Sequence, residues 1–419
     1  MQPRRTKAGG TKKRPSRYDA VTPTSEPLAL GLRAHRKGNY AAAIESYAAA
    51  IAVDASSLDA WMNLGSVAVL AGRAGLAIRA FDEAERLAPD HPRALRDAGI
   101  ALAAVGRSDE SLDRLARAVR SDPSLTGAAL FLPRVARDAG KLELAGRYAR
   151  EVVRSHPHDA SAHLELHRVL FDDQDLRPAI HAAITALELD PDYALARYFL
   201  AGAHAVAGEL DLVERICGGG AVAPGLADGI HYATSRRTTA TRFFAHKRDT
   251  LCFALARAEI HGSVLELGVR HGASLRWLAE VATEDVHGFD SFVGLPLPFQ
   301  GLDRGAFTTD GELPDVAPHV ALHVGLFEET LRPFVARASR PLRLLHVDSD
   351  LYESAALGLD ALSPLFQSGT VIVFDEYLGN ESWRQDEHRA LEEASARLGF
   401  QYEMFAASFI TGQVAVRIR

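Results

Sequence analysis

Leu265-Glu266-Leu267-Gly268-Val269-Arg270-His271-Gly272 decides the fold of half of this chain. An apolar run, 263–267, enters a turn with two glycines and leaves as an amphipathic segment, 273–282. That pattern reads as a strand, a ligand-facing turn and a helix. Gly268 and Gly272 let the backbone approach a ligand at the carboxyl edge of a sheet. A dinucleotide loop would need G-x-G-x-x-G, and position 270 is Arg270, so that reading fails.

Downstream the alternation continues. Apolar runs at 286–290, 320–324, 342–347 and 370–374 are separated by helical segments such as 326–337 and 354–366. Strand–helix alternation with apolar strands predicts a parallel, doubly wound sheet. A helix at about 381–398 precedes two runs, 400–405 and 410–418, close enough to pair as an antiparallel hairpin. Seven strands are expected, with a further helix near 246–261 leading into them.

Acids stand at the ends of three of these strands. Asp290 falls about twenty residues after the glycine turn, where a carboxylate can accept bonds from two ribose hydroxyls. The bland alternative is a helix cap at Asp290 or Ser291. Glu266 is a further acid just before the turn. With no pyrophosphate to cradle, E-x-G-x-x-x-G suits S-adenosylmethionine (SAM). Two more strands end in His346-Val347-Asp348-Ser349-Asp350 and in Phe374-Asp375-Glu376-Tyr377. Parallel strands bring both ends to one edge, so Asp348, Asp375 and Glu376 can converge. Carboxylates so placed repel one another unless a cation sits between them. Hard oxygen ligands suit Mg²⁺. Such an ion lowers the pKa of a bound hydroxyl, and a neighbouring carboxylate can take the proton. Capping of the following helices by Asp350 or Asp375 explains one acid but strains to explain four.

Upstream, residues 27–216 repeat. Gly38, Gly72, Gly106, Gly140 and Gly208 are spaced by 34 residues or a multiple of it, with Gln174 at the one missing position. Small residues recur five positions later (Ala43, Ala77, Ser111, Ala145, Ala179), and prolines recur as Pro89, Pro123, Pro157 and Pro191. Each glycine permits a tight turn after a first helix, each small residue lets the second helix pack closely, and each proline stops it. The register resembles the tetratricopeptide repeat, a helical solenoid that binds partners and carries no chemistry of its own. Trp61, Phe81, Tyr40 and Tyr47 are expected in its core rather than against a ligand.

Residues 1 to about 26 are basic and lack an apolar face, so a disordered tail is expected. Residues 217–245, with Gly218-Gly219-Gly220 and Pro224-Gly225, read as a linker, leaving 246–419 as the second domain. A net charge of -7 gives no reason to expect nucleic acid as a partner of the whole chain. No membrane span or secretory signal is expected, so the default setting is cytoplasmic. Richness in Ala, Arg, Leu and Gly fits a high-GC bacterial gene. Two cysteines, Cys217 and Cys252, form no metal or disulfide pattern and read as small buried apolar residues.

The segment Asp290-Ser291-Phe292-Val293-Gly294-Leu295-Pro296 resembles D-S-F-x-G-L-P of macrocin-type (TylF-like) sugar O-methyltransferases. So do Gly325-Leu326-Phe327-Glu328-Glu329-Thr330-Leu331, Asp348-Ser349-Asp350-Leu351-Tyr352-Glu353-Ser354 and Asp375-Glu376-Tyr377, in that order. The resemblance implies a class I methyltransferase domain using SAM and Mg²⁺ on hydroxyls of sugars. It implies Asp348, Asp375 and Glu376 as metal ligands, with Asp348 also the general base. It implies Glu266, Gly268 and Asp290 at SAM, with Ser291 assisting at the ribose. The family's D-D-Y is D-E-Y here, Ala273 follows Gly272 where paired glycines are common, and the repeats have no counterpart in the antibiotic-tailoring members. A small-molecule or glycan acceptor is expected, with a protein partner on the repeats. A protein methyltransferase and a non-enzymatic adaptor with a relic second domain are the alternatives.

Overall fold

The computed structural model describes residues 25–298 and 304–419. The expected disordered tail falls outside them except for its last two residues. These open the first helix, where the Ser25 hydroxyl accepts a hydrogen bond from the Leu28 amide.

Among the described residues, twelve helices from Glu26–Arg36 to Leu210–Cys217 pack as consecutive pairs. At Gly38, Gly72, Gly106, Gly140 and Gly208 the backbone is left-handed, with φ of 75°, 72°, 77°, 72° and 81°. Only glycine adopts that turn without Cβ strain, which is why the 34-residue spacing is visible at all. Within a pair, a Cβ on Gly65 would sit 2.5 Å from the Phe81 ring, so the aromatic lies directly on the first helix's backbone. Phe81 and Tyr47 are fully buried, and Trp61 and Tyr40 partly so, as core residues should be. Where glycine is missing, an acidic turn of Asp172, Asp173 and Asp175 joins helices Ala160–Leu170 and Arg177–Leu189.

The stretch 217–245 holds a helix, Pro224–Arg236, and a two-residue strand, β1 (Arg242–Phe243). Seven more strands follow: β2 (Ser263–Leu267), β3 (Val286–Asp290), β4 (Val320–Val324), β5 (Leu342–Val347), β6 (Val371–Phe374), β7 (Tyr402–Ala407) and β8 (Val414–Ile418). The order is β1-β7-β8-β6-β5-β2-β3-β4, so the sheet has eight strands, not the seven expected. Two residues are too few to show a period-two pattern. What places β1 is long-range: it pairs in parallel with Ala406 and Ala407, and Phe243 stacks on Phe409 at 5.5 Å. The sheet is mixed, because β8 runs antiparallel to both β6 and β7.

From β2 the chain steps outward to β3 and β4, then returns to the other side of β2 for β5 and β6. The reversal between β2 and β5 leaves a crevice at their carboxyl ends, the usual ligand site of such sheets. One apolar core runs through both halves, with Leu164 and Phe199 of the repeats in the same cluster as Phe374 and Trp383. Cys217 and Cys252 are free and only half-buried. Among the described residues no helix is long and apolar enough to cross a membrane.

Candidate active site

The crevice between β2 and β5 opens into a cavity of about 720 Å³, within the range typical of small-molecule sites. Gly268 lies at the end of β2 with φ 89°. A Cβ there would collide with the Asp348 carbonyl oxygen, so only glycine lets the two strand ends close on each other. Asp290, at the end of β3, organises the turn. Its Oδ2 accepts from the Val269 and Arg270 amides at 2.8 and 2.7 Å, and its Oδ1 from the Phe292 amide at 2.7 Å. Asp290 lines the cavity, and with both lone pairs of Oδ2 engaged it is Oδ1 that retains one for a ligand. Ser291 lines it too, with its hydroxyl accepting from the Val293 amide at 3.3 Å.

Left-handed backbone at residues other than glycine gathers here. Among the described residues these are Arg270, Phe292, Phe307, Asp310 and Asp350. Arg270, Phe307 and Asp350 line the cavity, and Phe292 adjoins Ser291. Such strain collects where a site demands a set geometry.

Opposite the glycine turn lies a dense set of acids. Asp348, Asp350, Asp375 and Glu376 all line the cavity, as does Lys247 from helix Lys247–Ala256. The Lys247 ammonium donates to Asp375 Oδ2, and Gln413 Nε2 donates to Oδ1 at 2.8 Å. Behind them His346, fully buried, donates from Nδ1 to Glu266 Oε1 at 2.7 Å and places Nε2 3.6 Å from Asp375 Oδ1. Burial alone would lower the His346 pKa, but Asp375 and Glu266 raise it to about 10. Burial opposes charge on Asp375 too, yet Lys247 and His346 hold it well below the usual carboxylate range. Asp348 goes the other way: burial, then the Asp375 charge, push it well above that range. Burial and then Glu376 push Asp350 up to about 7, and burial with Asp375 also raises Glu376. Two carboxylates driven apart in this way suit different roles, one a fixed counter-ion and one a proton acceptor.

Of the residues singled out from sequence, Gly268, Asp290, Ser291, Asp348, Asp375 and Glu376 line this one cavity. Glu266 does not. Its side chain is fully buried behind the sheet edge with His346, and its Oε2 has no hydrogen-bond partner among the described residues. Gly272 is also outside the lining and stands at the start of helix Ala273–Val281. Lys247, His346 and Arg270 were not picked out. Lys247 lies about a hundred residues before Asp348, and nothing local in its helix marks it. A lone histidine on a buried strand ordinarily reads as core.

Residues 265–377 match the family model described as a methyltransferase domain. The second half of the chain carries a methyltransferase domain. The tetratricopeptide repeat model matches at 28–92, 71–126, 96–160 and 164–212. Among solved structures, the O-methyltransferase NovP is 21% identical with TM-score 0.32, covering 42% of this chain and 80% of NovP. A Pseudomonas aeruginosa protein titled pilF is 22% identical with TM-score 0.39, covering 45% of this chain and 86% of its own. A tetratricopeptide repeat protein from Parabacteroides merdae is 13% identical with TM-score 0.43, covering 50% and 84%. No functional weight rests on likenesses at these scores. A comparison with curated proteins finds no match.

A methyltransferase domain implies SAM, and the cavity fits it: Gly268, where a Cβ would collide, on one side, Asp290 at the end of β3 and about 720 Å³ of space. A divalent cation also fits the donor chemistry. Asp348 and Glu376 offer hard oxygens that accept no hydrogen bond among the described residues, whereas Asp375 is engaged by Lys247 and Gln413. Among the described residues the group of three whose ligand atoms lie within 4.8 Å of one another is Glu266, His346 and Asp348, where His346 already donates to Glu266; the expected set of Asp348, Asp375 and Glu376 is not drawn together that closely.

Proposed function

We propose that the methyltransferase domain transfers a methyl group from SAM to a hydroxyl of a sugar, glycoside or related natural product, assisted by a divalent cation such as Mg²⁺. The observation that supports this most is convergence. The glycine turn and Asp290 wall the same cavity as Asp348, Asp375 and Glu376, and the four ordered motifs resemble those of the TylF-like enzymes. SAM supplies the methyl as an electrophilic sulfonium substituent. Gly268 and Asp290 hold the donor, and Asp348 takes the proton from the acceptor hydroxyl. Burial and the Asp375 charge raise the Asp348 pKa, which strengthens it as a base. Asp375 stays ionised and keeps the Lys247 ammonium beside the acceptor. A cation would be held by Asp348 and Glu376 and would make the hydroxyl easier to deprotonate. Alignment of oxygen, methyl and sulfur supplies much of the remaining rate. In this reading 246–419 is the catalytic unit in a cytoplasmic, bacterial enzyme, and the repeats of 27–216 recruit a carrier, a partner enzyme or a long acceptor.

The test is transfer of labelled methyl from SAM to a panel of glycosides and polysaccharides by the purified chain. Transfer that EDTA and Asp348→Asn both abolish is expected. Undiminished transfer in both sinks the metal-assisted mechanism. The repeats favour a second reading, in which they grip a polypeptide that is itself methylated. Against it stands the acid cluster, since an amine acceptor needs no metal. Label appearing in protein bands of a lysate, and in no glycan, would replace the first reading by the second.

A further inference from the structure

Five successive turns of the repeat array are met by arginines from outside it. Arg270 Nη2 donates to the Gly72 carbonyl at 3.2 Å, and Arg276 Nη2 to the Val105 carbonyl at 3.4 Å. Arg248 lies against Gly140, where a Cβ would collide with its guanidinium. Arg242 forks onto Asp173 with two bonds of 2.7 Å, at the turn that lacks glycine. Arg237 Nη1 donates to the Ala205 and Val206 carbonyls at 2.7 and 2.9 Å. At all five turns the first helix of a repeat ends, where free carbonyls and the helix dipole favour a cation.

Two of these arginines are tied to the donor turn. Arg270 is part of it, held by Asp290 through its amide at 2.7 Å. Arg276 reaches back to the His271 carbonyl at 3.0 Å. The Arg270 guanidinium also lies 4.8 Å from the centre of the Phe307 ring, and Phe307 lines the cavity. Phe307 in turn sits on the second repeat: a Cβ on Gly72 would come within 2.8 Å of its backbone nitrogen. Next to it, Arg73 pairs with Asp310 at 2.7 Å. The second repeat therefore touches the cavity at two walls, and the third holds the end of the turn between them.

We propose that the second and third repeats are a positioning element of the methyl-donor site. They set the Val269-Arg270 turn and the Phe307 wall, so the affinity for SAM depends on how the array is seated. Arg270 and Arg276 are the positioning residues that carry the dependence. This rests on the methyltransferase reading above.

The first repeat supplies an internal control. Gly38 occupies the same turn position with φ 75°, and a Cβ there would meet nothing within 4 Å. Gly72→Ala and Gly38→Ala both place a Cβ on left-handed backbone and incur a similar local strain. Only the first presses on Phe307. SAM is titrated calorimetrically into the full chain and into each variant. We expect Gly72→Ala to weaken SAM binding by about tenfold or more and Gly38→Ala to leave it unchanged. Equal affinity in all three overturns the inference while leaving the methyltransferase reading intact. A wild-type chain that fails to bind SAM overturns that reading and this inference with it. Should Gly72→Ala not fold, Arg73→Glu takes its place, with Asp310→Arg added to restore the pair in reverse. Weaker binding in the single variant and recovery in the double support the inference; no change in either overturns it.

Discussion

The repeat array and the methyltransferase domain each bury a histidine, and they do so in opposite ways. His167, between the paired helices of the fifth repeat, donates from Nδ1 to the Ala179 carbonyl at 2.9 Å and stacks on Phe199. Burial lowers its pKa to about 4, so it stays neutral. His346 is just as deeply buried but lies between Glu266 and Asp375, which hold it protonated. The array leaves this histidine without a carboxylate, although Glu165, paired with Arg134 and Arg168, and Arg137 are buried nearby. The domain gathers charge into its own, with Glu266, His346, Asp375 and Glu387 all buried. Buried charge costs stability unless it is well paired. Its concentration at one sheet edge is a mark of chemistry rather than of folding.

The strongest way to break this contrast is Asp348→Asn. It removes the proton acceptor and leaves the shape, so turnover is expected to fall by roughly 10²- to 10⁴-fold with the fold intact by circular dichroism. Wild-type turnover would make the charged edge merely structural. Next come the histidines themselves. His346→Leu leaves Glu266 without its cation and Asp375 with Lys247 alone, and should cost about 3–5 kcal/mol in denaturant unfolding. His167→Leu loses one hydrogen bond and should cost about 1–3 kcal/mol. The reverse order would refute the comparison.

Phe81→Ala opens a void against Gly65 and should cost about 3–5 kcal/mol, but locally, because repeats depend chiefly on their neighbours. Hydrogen exchange should show lost protection in helices around residues 58–104 while β2, β5 and β6 keep theirs. The two histidines also predict opposite responses to pH. The His346 contribution is complete below its ordinary value of 6.5 and is lost as pH rises through about 10. The His167 contribution is complete above 6.5 and is lost as pH falls toward about 4. Exchange rates should therefore rise first in the domain on the alkaline side and first in the fifth repeat on the acid side. The smallest effect is Ser57→Ala. Its hydroxyl caps helix Leu58–Leu70 by accepting from the Ala60 amide, and its loss should cost about 1 kcal/mol.

What could be read from the chain follows from how local each cause is. The repeats were legible because a left-handed glycine, a close-packed small residue and a stopping proline recur in one register. β2, β5 and β6 were legible because strands buried on both faces are continuous apolar runs, and β3 and the partly exposed edge strand β4 because their apolar runs alternate with helices. β1 was not, since two residues carry no pattern and a distant aromatic places them. In the site, Gly268, Asp290, Asp348 and Asp375 stand at strand ends, where chain order predicts the edge of the sheet. Glu266 lies outside the cavity lining: one position before the strand end its side chain is buried, and there it meets His346. Lys247 and Arg270 act through partners far away in sequence, at Asp375 and Gly72. No local signal reports a contact of that kind.

The left-handed, non-glycine residues around the cavity have an outcome for any effort to make this molecule hardier. Glycine or asparagine at Asp350 would relax the main chain and raise the melting point, whereas at Arg270 or Phe307 the same change would forfeit contacts to the second repeat. Libraries screened for heat resistance alone should accumulate the Asp350 replacements first. Each would then be expected to surrender catalytic turnover in return, so durability and activity are set against each other at the same codon.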